Sequence, residues 1–108
     1  MRSKFGNKRT LVGDKSFMSK GEAKRYEVLV QREQEGLIRD LKTQVSFPLV
    51  VNDVKIARYI ADFTYEDATG YVVEDFKGVL TDVFKLKQKL MSACHSIAIK
   101  IVKVPSAD

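Results

Sequence analysis

Asp62, Asp75 and Lys77 are the residues of this 108-residue sequence whose types and surroundings could do chemistry. Asp62 lies within "YIADFTY", and Asp75 and Lys77 lie within "YVVEDFKGV", stretches apolar enough for the middle of a sheet. Charge in such a setting is costly unless it is paired, bound to a metal or used. Two carboxylates on neighbouring strands would share a divalent cation through oxygen ligands suited to Mg²⁺ or Mn²⁺, with an ammonium beside them. The chemistry that uses this set is phosphodiester hydrolysis. A metal activates water and holds the phosphate, while a lysine orients the attacking water or neutralises charge building on the phosphate. A nucleophilic triad cannot be assembled from the one cysteine, Cys94, and the one histidine, His95, which are adjacent.

The spacing acid-x-Lys does not single out Asp75 and Lys77, since it also occurs at Glu22 and Lys24, Asp40 and Lys42, and Asp53 and Lys55. Context selects among them. Glu22 and Lys24 fall on a helix, where residues two apart diverge. Asp53 follows Asn52 in a turn, where aspartate bonds its own backbone. Only Asp75 and Lys77 lie inside an apolar strand, and strand alternation puts them with Tyr71 and Val73 on one face while Val72, Glu74 and Phe76 take the other. A buried ion pair between Asp75 and Lys77 is the competing structural reading.

The elements that must position these residues are readable from pattern and punctuation. Residues 1–18 are a basic, partly flexible arm or a weak hairpin around "LVGDKSF". A helix follows from Ser19, with Glu22 three residues later completing a capping box and Gly36 as its stop; Ala23, Tyr26, Leu29, Val30 and Leu37 make its apolar side. Three strands come next, "IRDLKTQVSFPLVV", "VKIARYIADFTYE" and "YVVEDFKGV", divided by turns at Asn52-Asp53 and "DATG". Thr81 caps a second helix, "DVFKLKQKLMSACH", with Val83, Leu86, Leu90 and Ala93 toward the core, and "SIAIKIVKV" is a last strand. The order α-β-β-β-α-β predicts an α+β domain over residues 19–104, a mixed sheet with helices against it, the second helix returning the chain for a parallel strand, and a tail at 105–108.

The length allows one domain. A 44% hydrophobic, 31% charged composition is that of a soluble globular protein. The absence of any apolar run of membrane-spanning length, the lack of a secretory signal and the lone cysteine predict a cytoplasmic protein with no membrane partner. The net charge of +5 is unevenly distributed, with eight Lys/Arg against two acids in residues 1–25, six against ten in 26–80 and five against two in 81–108. Basic ends suit a polyanion, and an acidic middle suits a cation site.

The succession of helical "SKGEAKRY", strands "YIADF" and "VVEDFKG", and the lysine-bearing helix "TDVFKLKQKL" resembles the PD-(D/E)xK nuclease superfamily. More closely, it resembles a family of small phage and prophage proteins of unknown function that have been assigned to that superfamily. The resemblance spans about residues 5–104 and implies a restriction-endonuclease-like core. On it, Asp62 matches the metal-binding aspartate of the first motif strand, Asp75 and Lys77 match the acid-x-Lys pair, and Glu22 matches the first-helix acid that joins the metal site in many members. Glu22 has a second sufficient explanation in its capping box. Ala61 stands where the superfamily name has proline. The activity implied is that of a Mg²⁺- or Mn²⁺-dependent endonuclease of phage or prophage origin, working in the cytoplasm of a bacterial host. Its DNA substrate would be branched, as for a Holliday-junction resolvase, and a homodimer would present two sites. Arg2, Lys4, Lys8 and Arg9 would track the phosphate backbone, joined by Lys85, Lys87 and Lys89 where these are more than a solvated helix face. Two alternatives stand beside this reading: another DNA nuclease, nicking or restriction-like, and a non-enzymatic basic nucleic-acid-binding protein.

Overall fold

In the computed structural model, residues 10–12, 15–17 and 19–103 are described. The segment around "LVGDKSF" contributes two short strands, β1 (Thr10–Val12) and β2 (Lys15–Phe17), paired antiparallel. The basic residues Arg2, Lys4, Lys8 and Arg9 and the tail at 105–108 lie outside the described residues.

Helix α1 (Lys20–Gln34) starts where its cap chemistry dictates: Ser19 is extended, and its hydroxyl accepts the Glu22 N–H at 3.1 Å. It ends at Gly36, whose φ of 79° is left-handed and which lets the Leu37 N–H turn back to the Arg32 carbonyl at 2.9 Å. Ala23 and Leu29 are buried as expected, whereas Leu37, beyond the stop, is 61% exposed. Strands β3 (Arg39–Val51) and β4 (Val54–Asp67) form a long antiparallel hairpin. Its tip is Asn52 and Asp53, with φ of 50° and 64°, the doubly left-handed turn that matches strand twist. A second turn leads to β5 (Gly70–Lys77), then α2 (Asp82–His95) and β6 (Lys100–Lys103).

The sheet order is β3-β4-β5-β6. β5 is antiparallel to β4 and parallel to β6, so the α2 crossover returns the chain as expected. The α+β order α-β-β-β-α-β with a four-stranded mixed sheet is that of a restriction-endonuclease-like core. The last strand is shorter than "SIAIKIVKV" implies, because Ser96 takes a left-handed conformation, φ 57°, to close α2.

Two apolar clusters lie on opposite faces of β5. Val73 packs with Leu49, Tyr59, Ala61, Phe84 and Met91, while its neighbour Val72 packs against the cluster of Ala23, Leu29, Ile38, Phe63 and Tyr65. Thus α1 covers one face and α2 the other. Of the expected α2 stripe, Leu90 packs against the Val73 cluster, while the rest gives way to other residues. Phe84 and Met91 are buried, whereas Val83 and Leu86 are 63% and 56% exposed and Ala93 is also outside the core. Phe84 and Met91 stand two turns apart and so share the face that meets the sheet.

Candidate active site

Strand β4 turns its buried side over at Asp62. Ala61 packs with the α2-side cluster and Phe63 with the α1-side cluster, although residues two apart on a regular strand share a face. Gln44, opposite Asp62 in the β3 register, is itself left-handed at φ 55°. The β4–β5 pairing stops at Phe63 and Glu74, and from Glu74 onward β5 pairs with β6. The two strands therefore splay at Asp62 and Asp75. Asp62 spans the gap with its side chain, whose Oδ2 accepts the Phe76 N–H at 2.8 Å, in place of a ladder bond.

The splay and the start of α2 frame an open cleft of about 490 Å³, whose lining includes Arg58, Tyr59, Asp62, Asp75, Lys77 and Lys87. Strand alternation and the register step beyond Phe63–Glu74 bring Asp62 and Asp75 together there. Burial is the main reason the Asp62 carboxyl is pushed up to about 9; the hydrogen bond to Asp75 and its charge add to this, the Phe76 N–H opposes it, and the charge of Glu22 adds a little. Asp75 is 2% exposed and held by two donors on one oxygen. The Tyr59 hydroxyl donates to its Oδ2 at 2.8 Å, and the Lys77 ammonium lies 3.5 Å from the same atom. Lys77 in turn sits 4.5 Å over the Phe84 ring, a cation–π contact that fixes its flexible stem. Burial and the adjacent Asp75 charge hold Tyr59 protonated far above the ordinary phenol range.

Glu22 is buried at 7% on α1 and receives the Gln44 amide at 3.4 Å. It is an electrostatic neighbour of Asp62, but it does not line the cleft. Among the described residues, no group of three or more His, Cys, Asp or Glu is placed to hold a metal ion. Asp62 and Asp75 are the adjacent carboxyls of the cleft that could serve a divalent cation. One or two carboxylates are what Mg²⁺ commonly takes from a protein, with water and phosphate oxygens completing its octahedron. Two adjacent carboxyls, one retaining its proton, fit a cation chemically, because a bound cation relieves the same repulsion that the proton does. Of the α2 lysines, Lys87 lines the cleft, while Lys85 and Lys89 are exposed elsewhere on the helix.

Glu74, next to Asp75 in sequence, belongs to the opposite face. It is fully buried and takes a bidentate pair from Arg25, Nε to Oε2 at 2.6 Å and a terminal nitrogen to Oε1 at 2.9 Å, with the Tyr65 hydroxyl on Oε1 at 2.6 Å. Its bond to Glu74 is the first reason the Arg25 guanidinium is held above its ordinary range. The two acids of "VVEDFKG" thus divide their work: Glu74 ties β5 to α1, and Asp75 faces the cleft. Cys94 and His95 contact the carbonyls of Val50 and Pro48 on β3 and take no part in the cleft. Phe63 and Tyr65 are core residues.

Sequence reasoning passed over Tyr59, Arg58, Phe84 and Arg25. Tyr59 carried no usable signal, because three positions before Asp62 on a regular strand it would face the opposite side. Arg25 lies one helical step from Glu22, but its partner Glu74 is 49 residues away, and local pattern says nothing about that pairing.

The family model described as "Protein of unknown function (DUF1064)" matches residues 2–105. No curated protein and no solved structure matches the chain. No helix among the described residues is long and apolar enough to cross a membrane.

Proposed function

We propose that this chain, which belongs to the DUF1064 family, is a metal-dependent endonuclease of PD-(D/E)xK type that hydrolyses phosphodiester bonds in branched DNA. The observation that carries this reading is the meeting of Asp62, Asp75 and Lys77 at one open cleft rimmed by the cations Arg58 and Lys87. Asp62 and Asp75 would hold Mg²⁺ or Mn²⁺, with Glu22 adding negative potential beside Asp62. When bound, the cation supplies Lewis-acid polarisation of the phosphate and lowers the pKa of a water molecule.

The chain's own groups account for the remaining work. Asp62 would hold the cation in its ionised form, its proton released to solvent; Lys77 would orient the attacking water or neutralise charge developing on the phosphate, and Arg58 and Lys87 would take neighbouring phosphates. An open cleft framed by two parting strands and the start of a helix suits a strand backbone presented at a branch better than a long sequence read base by base.

The test is incubation of the full chain with an end-labelled four-way junction and with a linear duplex of the same sequences, each with Mg²⁺ and with EDTA. Metal-dependent scission favouring the junction supports the proposal; scission of both substrates alike points to a general nuclease. The closeness of Asp75 to Lys77, 3.5 Å, also suits a purely structural ion pair in a basic DNA-binding protein. Metal-indifferent binding with no scission is the outcome that reading requires.

A further inference from the structure

Tyr59 is the cleft residue whose chemistry is not yet spent. It is 3% exposed, and its ring is fixed from two sides, by Phe47 at 6.3 Å between centroids and by Phe84 at 6.3 Å and 55°. The position of its hydroxyl is therefore set by packing and cannot follow a wandering carboxylate. That hydroxyl donates at 2.8 Å to Asp75 Oδ2, the oxygen also approached by Lys77 at 3.5 Å. Fixing one carboxylate oxygen fixes the direction of the other, because the group is planar and turns only about its bond to Cβ.

We propose that Tyr59 is a positioning residue of the cleft, its hydroxyl holding the Asp75 carboxylate in the orientation that, together with Asp62, receives a divalent cation. The inference rests on the nuclease reading above. Phe84 supports both ends of this arrangement, packing against the Tyr59 ring and carrying the Lys77 ammonium on its own face. A second tyrosine provides an internal comparison: the Tyr65 hydroxyl donates to Glu74 at 2.6 Å on the α1 side, and neither residue lines this cleft. If Tyr59 only satisfied a buried carboxylate, the two hydroxyls would be equivalent in every measurement except the identity of their partner.

The experiment is titration of Mn²⁺ into the full-length wild-type chain, Tyr59→Phe and Tyr65→Phe, followed by electron paramagnetic resonance of the free ion, with metal-free thermal melts of all three. Each substitution keeps its ring and removes one hydroxyl. The expected result is a loss of Mn²⁺ affinity of about 10- to 100-fold in Tyr59→Phe, the usual effect of removing a group that orients a metal ligand. Tyr65→Phe is expected to bind Mn²⁺ like wild type, although its melting temperature falls at least as far. Equal affinity in wild type and Tyr59→Phe overturns the positioning role and leaves the nuclease reading standing. An equal loss in both variants overturns it too, since the effect would then be one of general stability. A wild-type chain that binds no Mn²⁺ removes both.

Discussion

Asp62 Oδ2 accepts the backbone N–H of Phe76 at 2.8 Å, across the gap that opens where β4 and β5 part. The same carboxyl that faces Asp75 is therefore also the splice between two strands. Phe76 carries the effect further, because its ring lies against α1: a Cβ on Gly21 would come within 2.6 Å of the ring's outermost carbon. The cleft acid, the strand edge and the start of α1 are coupled through one backbone amide.

Substitutions at Asp62 should consequently separate splice from charge. Asp62→Asn keeps an oxygen for the Phe76 N–H, whereas Asp62→Ala leaves that amide without its partner, at about 1–3 kcal/mol where water cannot replace it. The Asp62 carboxyl is pushed up to about 9 from an ordinary 3.8, so between those values the folded protein retains a proton that the unfolded chain has released. Stability then declines as pH rises through that window. Melts of the metal-free protein should show wild type falling relative to Asp62→Asn between about pH 5 and about pH 9, with Asp62→Ala lowest throughout. A wild-type to Asn difference that is flat with pH would show that Asp62 is ionised in the folded protein.

The order of elements was legible because its punctuation is chemical and local. Ser19 and Thr81 cap helices with their own hydroxyls, and Gly36, Asn52 and Asp53 occupy left-handed conformations that such residues tolerate best. Alternation also separated Glu74 from Asp75 correctly. It was less reliable at Asp62, where β4 turns over, because a strand's period carries no mark of where a neighbour leaves it. Helical spacing likewise missed that Phe84 and Met91 take the interior of α2 in place of Val83 and Leu86, a choice made by the tertiary interior. The partners of the buried acids, Tyr59 for Asp75 and Arg25 for Glu74, come from 16 and 49 residues away. No window of sequence contains those distances.

Arg25 and Glu74 should behave as a structural unit with no chemical role. Removing one partner of a buried, bidentate pair strands the other charge, typically at about 3–5 kcal/mol, while replacing both with apolar residues is often neutral. Arg25→Met is accordingly expected to unfold at much lower denaturant than wild type, and Arg25→Met with Glu74→Leu to recover part of the loss, the remainder reflecting the Tyr65 hydroxyl left without its acceptor. Urea melts of the two variants and wild type measure this. The double variant should retain whatever cleavage wild type shows, and loss of cleavage in a well-folded double variant would bring Glu74 into the chemistry.

Asp75 should respond in the opposite way. Asp75→Asn preserves an acceptor for the buried Tyr59 hydroxyl, while Asp75→Ala leaves that hydroxyl unpartnered and costs about 1–3 kcal/mol more. Both are expected to lose more than about 100-fold in cleavage, beyond the effect of removing a supporting hydrogen bond. DNA binding in EDTA should be retained or strengthened in Asp75→Asn, since the substitution removes a negative charge from a cleft that, on the proposed function, would admit phosphates. Gel-shift titrations set beside cleavage rates separate the two effects, and parallel loss of binding and cleavage would indicate a damaged fold.

Arg58 on β4 and Lys87 on α2 both line the cleft, so on the proposed function a strand backbone entering toward Asp62 and Asp75 would meet both. A cation that contacts one phosphate releases about one counterion, and losing it lowers the slope of log affinity against log salt by about 0.7 to 0.9. Arg58→Ala and Lys87→Ala should each reduce the slope by about that amount in fluorescence-anisotropy titrations, and the double variant by about twice as much. Lys85→Ala and Lys89→Ala, on the exposed part of α2 away from the cleft, are expected to change it by less than half as much. Equal slopes for all four single variants would mean that DNA meets α2 as a diffuse basic surface, with its backbone running somewhere other than through the cleft.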